Sequence, residues 1–285
     1  MIRVRVLEPG DEPTIEAFLA RHADASLFLR SNLRAGGLVD RSEPFQATWA
    51  GAFEGAELVA VAAHAWNGSV VVQAPRALAD VVRFAVASSG RPLGGIVGEW
   101  DQVLAAREAL GVTERPAICT SHDDLFALDL AELVVPSSLA RGELRVRVAR
   151  EDDRALVVRW RSAYRVELLG HPADDPELDA SSAAEIEPLL RQESCFLLER
   201  DGDPVAFSAF NARLPDCVQI GGVFTPPALR GRGYARAVVA GSLLHARAAG
   251  ATRSVLFTGK ENAAARRAYH ALGYRVVGEY GLVLF

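Results

Sequence analysis

The sequence predicts an α/β (α+β) protein in which one plan of strands and helices occurs twice. A strand-like segment that alternates apolar and charged residues, Ile2–Val6, returns almost unchanged 142 residues later, at 144–148. Each copy is followed within a few residues by an acidic helix start. An internal repeat of this length indicates two similar domains. We predict them over 1–135 and 144–285, with a linker around Pro136.

The order of elements is clearest in the second half, where Gly250 and Gly273 each close a helical pattern. The periodicity predicts these elements in chain order: a strand over 144–149, helices over 152–168 and 182–192, strands over 195–200, 204–213 and 217–224, a helix over 233–249, a strand over 253–258, a helix over 262–272 and a terminal strand pair over 274–285.

The first half follows the same order. Residues 58–75 carry no charge and could be mistaken for a membrane span. They contain Asn67-Gly68 between apolar alternations, however, and this dipeptide is a hairpin turn signal. We therefore predict two strands here and no membrane helix.

Composition narrows the classes of partner. The 285 residues carry a formal net charge of −5, and no run of Lys or Arg occurs. We therefore expect neither nucleic acid nor an anionic membrane as a partner. The three cysteines, Cys119, Cys195 and Cys217, are odd in number and widely spaced. This usage indicates a reducing, cytoplasmic setting and no disulfide framework.

The most informative motif runs from Arg230 to Ala235 and reads R-G-R-G-Y-A. It lies at the junction between a strand-like run and a helical run. Glycines at such a junction leave main-chain amides open at a helix N-terminus, where the orphan donors and the helix dipole favour a phosphate-bearing ligand. The alternative is a tight strand-to-helix turn that binds nothing.

A second motif follows about thirty residues later, with Asn262, Ala265, Tyr269 and Gly273-Tyr274 after another strand-like run. Together, the two motifs and their order resemble the acyl-coenzyme A binding core of the GNAT N-acetyltransferase superfamily. The resemblance implies two GNAT-like domains, each a mixed, mostly antiparallel sheet flanked by helices. It also implies acetyl-CoA as the acyl-donor substrate, and we expect no metal.

The resemblance also implies roles for individual residues. The donor would be bound by the end of the strand, the glycine turn and the second motif, namely Val223, Phe224, Thr225, Arg230, Gly231, Arg232, Gly233, Tyr234, Ala235, Asn262 and Arg266. Tyr269 would donate a proton to the departing thiolate. Asn262 could instead only cap its helix, and Tyr269 could be a core tyrosine that packs helix against sheet.

A general base for the attacking amine is harder to find. Glu167, Glu193 and Asp216 are candidates by position, and His171 is a further one. Each carboxylate could equally be a solvated surface charge. The sequence singles out none of them.

The first half lacks the features that carry the resemblance. Its turn, residues 73–78, contains Pro75 and no glycine. At the second motif, Trp100 stands where the second half has Asn262, and Arg107 stands opposite Tyr269. We therefore predict a degenerate GNAT-like domain over 1–135 without a coenzyme site.

These observations predict an acyl-CoA dependent N-acyltransferase that acts by direct attack. Acetyl is the expected acyl group, and the amine of a small molecule or an amino acid is the expected acceptor. The residues around the glycine turn also resemble the branch of the family that includes glycine N-acyltransferases. This resemblance favours a small amine as the acceptor. The alternative is a non-catalytic acyl-CoA binding or sensing protein. The sequence is also compatible with a homodimer.

Overall fold

The structure is a computed structural model that describes residues 1–285, apart from the side chain of Leu169. Its strands and helices are, in chain order, β1 (Ile2–Val6), α1 (Glu12–Ala20), α2 (Leu27–Gly36), β2 (Ala47–Glu54), β3 (Glu57–Ala65), β4 (Ser69–Gln73), α3 (Leu78–Ser89), β5 (Gly95–Glu99), α4 (Trp100–Ala109), β6 (Cys119–Asp129), α5 (Ser137–Ala140), β7 (Arg145–Val148), α6 (Arg154–Leu169), α7 (Leu178–Arg191), β8 (Cys195–Arg200), β9 (Asp203–Arg213), β10 (Cys217–Phe224), α8 (Tyr234–Ala248), β11 (Arg253–Gly259), α9 (Ala263–His270) and β12 (Arg275–Leu284).

The chain divides into two compact units. Unit 1 comprises Met1–Phe126, Phe257–Glu261 and Val276–Phe285, and unit 2 comprises Ala127–Leu256 and Asn262–Arg275. In unit 1 the strands follow the order β1-β2-β3-β4-β5-β12, and in unit 2 the order β7-β8-β9-β10-β11. Neighbours are antiparallel except β4 with β5 and β10 with β11, which are parallel. Each sheet is therefore mixed and mostly antiparallel, as predicted.

The uncharged segment 58–75 forms the β3–β4 hairpin. Gly68 takes a left-handed φ of +79°, and its N–H donates to the Ala65 carbonyl at 2.9 Å. The predicted pair of strands is confirmed. Among the described residues, no helix has both the length and the apolar character needed to cross a bilayer.

The repeat detected in the sequence is also a repeat of side-chain contacts. In unit 1, Arg5 forms a bidentate pair with Asp11 at 2.6 and 2.7 Å. In unit 2, Arg147 pairs with Asp153 in the same way at 2.5 and 2.9 Å. Both pairs join the first strand of a unit to the start of the next helix. A guanidinium fork fits a carboxylate in this geometry, so each pair fixes the same strand-to-helix corner.

The predicted strand pair over 274–285 is wrong, because these residues form the single strand β12, which pairs with β5. Gly281 does not turn the chain. A β-carbon at Gly281 would overlap the Trp100 ring, so only glycine lets the strand and this ring lie so close together. Unit 1 thus takes one strand from the C-terminal part of the chain. In unit 2, the residues that follow β6 lie beside those that precede β11, where the Leu130 N–H donates to the Thr252 carbonyl at 2.8 Å.

Two layers of helices cover the sheet of unit 2. Leu197 belongs to a buried cluster that includes side chains of α6 and α7, such as Val157 and Ile186. The next residue back, Phe196, contacts the His245 ring of α8 at 5.5 Å between centroids. Because side chains alternate along a strand, α8 lies on the face opposite to α6 and α7. The strand β10 contacts both α6 and α8, so it has a helix layer on each side.

Candidate active site

The site starts from an interruption in the pairing of β10. This strand pairs in parallel with β11 over only three residues, which end at Gln219 opposite Val255. Its pairing with β9 is also irregular, with register shifts after Gln219 and after Gly221. Gly222 takes a left-handed φ of +61° in the same stretch. The main chain of β10 between Ile220 and Phe224 therefore continues past the end of its β11 register, where an extended ligand could pair with it.

The glycine turn follows directly and ends at α8. Gly231 and Gly233 have φ of +77° and +78°, and Gly233 is the N-cap, with no side chain capping the helix. Nothing lies within 4 Å of a β-carbon built at Gly231, so the backbone conformation and not crowding calls for glycine here. The first amides of this helix have no acceptor within the helix, and they follow directly on the exposed residues 231–233 of the turn. This is the local geometry of an anion site.

Arg230 has two protein partners. Its guanidinium forms a bidentate pair with Glu167 of α6 at 2.6 Å for both contacts, and its Nε donates to the Thr225 carbonyl at 2.9 Å. The pair is roughly half exposed on both sides. Arg230 therefore holds the glycine turn against α6. Its role in coenzyme binding stays a prediction. The hydrogen bonds from Arg230 also lower the pKa of Glu167, which makes that carboxylate a weak general base.

Tyr234, the first residue of α8, is also tied to an arginine. Its hydroxyl accepts from Arg200 Nη1 at 3.0 Å, and this hydrogen bond lowers the pKa of Tyr234, with a smaller contribution from Arg232. The tyrosine ring is buried, whereas Arg200 and Arg232 are exposed. Together with Arg230, these side chains place three guanidinium groups close to the glycine turn. Their charge attracts an anion toward the open amides.

The structure places Tyr269 in the last turn of α9, half-buried, with its ring edge-on to Tyr274 at 5.9 Å. Burial raises the pKa of Tyr269, and the nearby Tyr164 phenol raises it further. The hydroxyl is therefore protonated throughout the neutral range, as a proton donor must be. Asn262 caps α9, because its Oδ1 accepts from the Ala265 N–H at 3.1 Å. The capping role is thus confirmed, while a coenzyme role for Asn262 and Arg266 stays a prediction.

The remaining candidate bases lie in different places. Glu193 follows α7, is exposed and has a left-handed φ of +53°. Asp216 precedes β10, at the end of that strand opposite to the glycine turn. His171 is half-buried beside the Arg165 guanidinium, at 3.4 Å. The structure does not bring these three groups together.

In unit 1 the corresponding strand end is filled by side chains. Gln73, the last residue of β4, donates to Glu99 at the end of β5 at 3.3 Å. Gln102 donates to the same carboxylate, and its Oε1 accepts from the Ala74 N–H at 2.6 Å. The first amide after the strand therefore already has a partner. Trp100 stacks on His122 with 4.3 Å between ring centroids, so it has a packing role.

Two arginines on α6 were missed by the sequence reasoning. Arg161 and Arg165 are four residues apart, and both reach Glu185 on α7. A β-carbon built at Gly222 would lie 3.3 Å from Arg161 Nη1. The i, i+4 spacing of two arginines was visible in the sequence and indicates one helix face. Their partner on a different helix was not visible.

No metal centre accompanies these groups: within the described side chains, no set of three or more His, Cys, Asp or Glu is placed to hold an ion. The candidate site consists of an interrupted strand, a helix N-terminus with flanking arginines, and a half-buried tyrosine on the next helix.

Fold and motif define the class of protein. Residues 157–274 match the model of the Acetyltransferase (GNAT) family. This part of the chain is therefore similar to the GNAT acetyltransferases. No curated protein matches the sequence significantly.

Solved structures extend the likeness over the whole chain. A Drosophila protein is 14% identical, with a TM-score of 0.67 over 99% of this chain and 98% of that one. A GCN5-related N-acetyltransferase from Sphaerobacter thermophilus is 14% identical, with a TM-score of 0.59 over 99% and 94%. A tandem GNAT protein from the clavulanic acid biosynthesis pathway is 10% identical, with a TM-score of 0.56 over 99% and 98%. At such identities the likeness shows the fold, which is the tandem GNAT fold.

Proposed function

We propose that the second half of the chain, residues 144–285, carries the active site of an acyl-CoA dependent N-acyltransferase, and that this site lies in unit 2. It transfers acetyl from acetyl-CoA to the amine of a small molecule or an amino acid. The observation that carries this proposal is the sequence of features along β10, where the register with β11 ends at Gln219 and two left-handed glycines then open the start of α8. An extended, amide-bearing arm can pair with the unpaired strand, and a diphosphate can accept from the helix amides.

The donor fits these residues by chemistry. Val223, Phe224 and Thr225 offer main-chain groups to the pantetheine arm, and the buried Thr225 Oγ1 has no hydrogen-bond partner among the described residues. The amides of residues 231–235 donate hydrogen bonds to the pyrophosphate oxygens. The guanidinium groups of Arg230 and Arg232 add to the positive potential at this position.

The reaction forms one bond, breaks another and moves two protons. The neutral amine attacks the thioester carbonyl carbon, so a C–N bond forms and the C–S bond breaks. The amine nitrogen gives up a proton to water or a nearby base, and Tyr269 donates its phenolic proton to the departing thiolate. A free thiol has a pKa of about 8.5 and a free tyrosine about 10, so the transfer is uphill by only about 2 kcal/mol. Burial raises the pKa of Tyr269 above this free value, so the transfer stays this small only where the same site also desolvates the thiolate.

We propose that the first half, residues 1–135, binds no coenzyme. The amide that follows its fourth strand, Ala74 N–H, already donates to Gln102. Pro75 next to it has no N–H to offer. The expected stoichiometry is therefore one acetyl-CoA per chain.

The test uses the full-length chain. Calorimetry with acetyl-CoA should give one equivalent bound, and a panel of amines and amino acids should release free thiol faster than a reaction without acceptor. Two equivalents bound would contradict the assignment of the first half. Tight binding without acceptor-dependent thiol release across the panel would instead favour the sensing alternative.

A further inference from the structure

Arg161 stands beside the part of β10 where the proposed reaction takes place. Its Nη1 would lie 3.3 Å from a β-carbon at Gly222, and its guanidinium lies 5.0 Å from the centre of the Tyr164 ring. The Nε and Nη2 of Arg161 both contact Glu185 Oε2, at 2.8 and 2.7 Å. The third nitrogen, Nη1, has no acceptor among the described residues. An anionic group that reaches Gly222 therefore finds a free guanidinium donor there.

Arg165, one turn further along α6, is buried and only partly satisfied. Its side chain is 9% exposed, and its Nε is buried without a partner among the described residues. Its Nη1 donates to two neutral hydroxyls, those of Ser181 and Ser182, at 2.5 and 3.3 Å. The only described carboxylate at ion-pair distance from this buried cation is Glu185, at 3.8 Å from Nη1, so its charge is only partly compensated.

In the part of the chain that the structure describes, the two arginines share a single ion-pair partner. Glu185 is the carboxylate that both contact, and it is 3.8 Å from Arg165 Nη1. Asp179 on α7 accepts from the Ser162 hydroxyl at 2.6 Å. His171, at 3.4 Å from Arg165, supplies no negative charge. Two guanidinium groups therefore share one carboxylate, and a second carboxylate would complete the cluster.

We propose that Arg161 and Arg165 bind a carboxylate of the acceptor, so that the enzyme acylates short amino acids in preference to plain amines. This inference rests on the proposed function. A guanidinium binds a carboxylate with two parallel hydrogen bonds, which fixes orientation as well as charge. Since Arg161 lies against Gly222, the carboxylate and the reacting amine are held only a short distance apart. An acceptor with a few carbon atoms between the two groups satisfies both.

The test compares acceptors that differ only in the carboxylate. Glycine is paired with methylamine, and β-alanine with ethylamine, each at equal concentration of the neutral amine. In the wild-type full-length chain, kcat/KM for the carboxylated partner is expected to be at least about tenfold higher, which corresponds to about 1.4 kcal/mol. Arg161→Gln should lower kcat/KM for glycine about tenfold or more and lower that for methylamine much less. A merely structural role of Arg161 would lower both equally.

Two further variants sharpen the test. Arg165→Lys keeps the cation but cannot form the two-pronged pair, so it should lower kcat/KM for glycine and not for methylamine. Arg159→Gln removes an exposed arginine from the same helix and should change neither value. Acetyl-CoA affinity, measured by calorimetry, reports the integrity of the fold in each variant.

Equal kcat/KM values for the paired acceptors in the wild type, with acetyl-CoA bound and thiol released, would overturn this inference and leave the proposed function standing. Equal losses for glycine and methylamine in Arg161→Gln would also overturn it. Failure of the wild type to bind acetyl-CoA would overturn the proposed function itself.

Discussion

Ala77 and Gly233 occupy the same place in the two units: each is the residue just before the helix that follows the fourth strand, and each has a left-handed backbone, with φ of +54° and +78°. The turn that presents helix amides is thus preserved in unit 1, while the residue type suited to it has been lost. For an alanine this conformation costs about 1–2 kcal/mol. The first half keeps the shape of the turn and carries the strain.

Ala77→Gly should therefore stabilise the protein. The relief of about 1–2 kcal/mol of strain exceeds the entropy that glycine adds to the unfolded chain, about 0.5–1 kcal/mol. We expect the free energy of unfolding to rise by up to about 1 kcal/mol in urea titrations, with no gain of acetyl-CoA binding. The mirror variant, Gly233→Ala, should cost about 1 kcal/mol. A less stable Ala77→Gly variant would contradict the strain assigned to this turn.

Gly233→Glu should abolish acetyl-CoA binding. The new carboxylate lies at the start of α8, where it repels the diphosphate and covers the open amides. Gly142→Glu is a matched control, because Gly142 is exposed with a similar φ of +74° and open space around it. Both variants should lose comparable stability, while calorimetry should show binding only in the control. Unchanged affinity in a folded Gly233→Glu variant would refute the site.

Tyr269→Phe should lower kcat by about 10²-fold and leave acetyl-CoA affinity nearly unchanged, since only the donated proton is removed. Tyr274→Phe serves as the control. Its hydroxyl pairs with Ser254 at 2.6 Å, so its loss should cost about 1–2 kcal/mol of stability without a comparable fall in kcat. Wild-type turnover in Tyr269→Phe would leave the packing role as the explanation for that residue.

Tyr280→Phe should stabilise the protein. It should also make the free energy of unfolding fall less steeply as pH rises in the alkaline range. The Tyr280 hydroxyl is buried and has no hydrogen-bond partner among the described residues, so removing it should gain about 1 kcal/mol. Burial, and then Glu99, raise the pKa of Tyr280. Above pH about 10 the folded chain holds a proton that the unfolded chain has lost, so the free energy of unfolding falls as pH rises.

The slope of unfolding free energy against pH, measured between pH 9 and about 11 on wild type and variant, checks this expectation. The wild type should lose stability more steeply. Equal slopes would show that Tyr280 ionises normally in the folded state.

Local signals predicted unit 2 well. Gly233 and Asn262 predicted the starts of α8 and α9. A positive φ and a side-chain cap depend on one residue and its nearest neighbours, so they can be predicted from local sequence. The end of the chain was mispredicted because β12 pairs with β5, a strand far away in sequence, and not with a neighbouring segment. The contact of Arg161 with Glu185 could not be predicted from the sequence either. Periodicity shows which residues share a helix face, but not which residues pack against that face.

The placement of β12 in unit 1 has a consequence for synthesis on the ribosome. The strand β5 emerges early, but its neighbour β12 is translated only after the strands and helices of unit 2. Throughout that interval one edge of β5 has open main-chain groups, and such edges template aggregation. A nascent chain therefore needs shielding of unit 1 until translation has passed residue 284. A premature stop near 275 would damage the half of the protein made first.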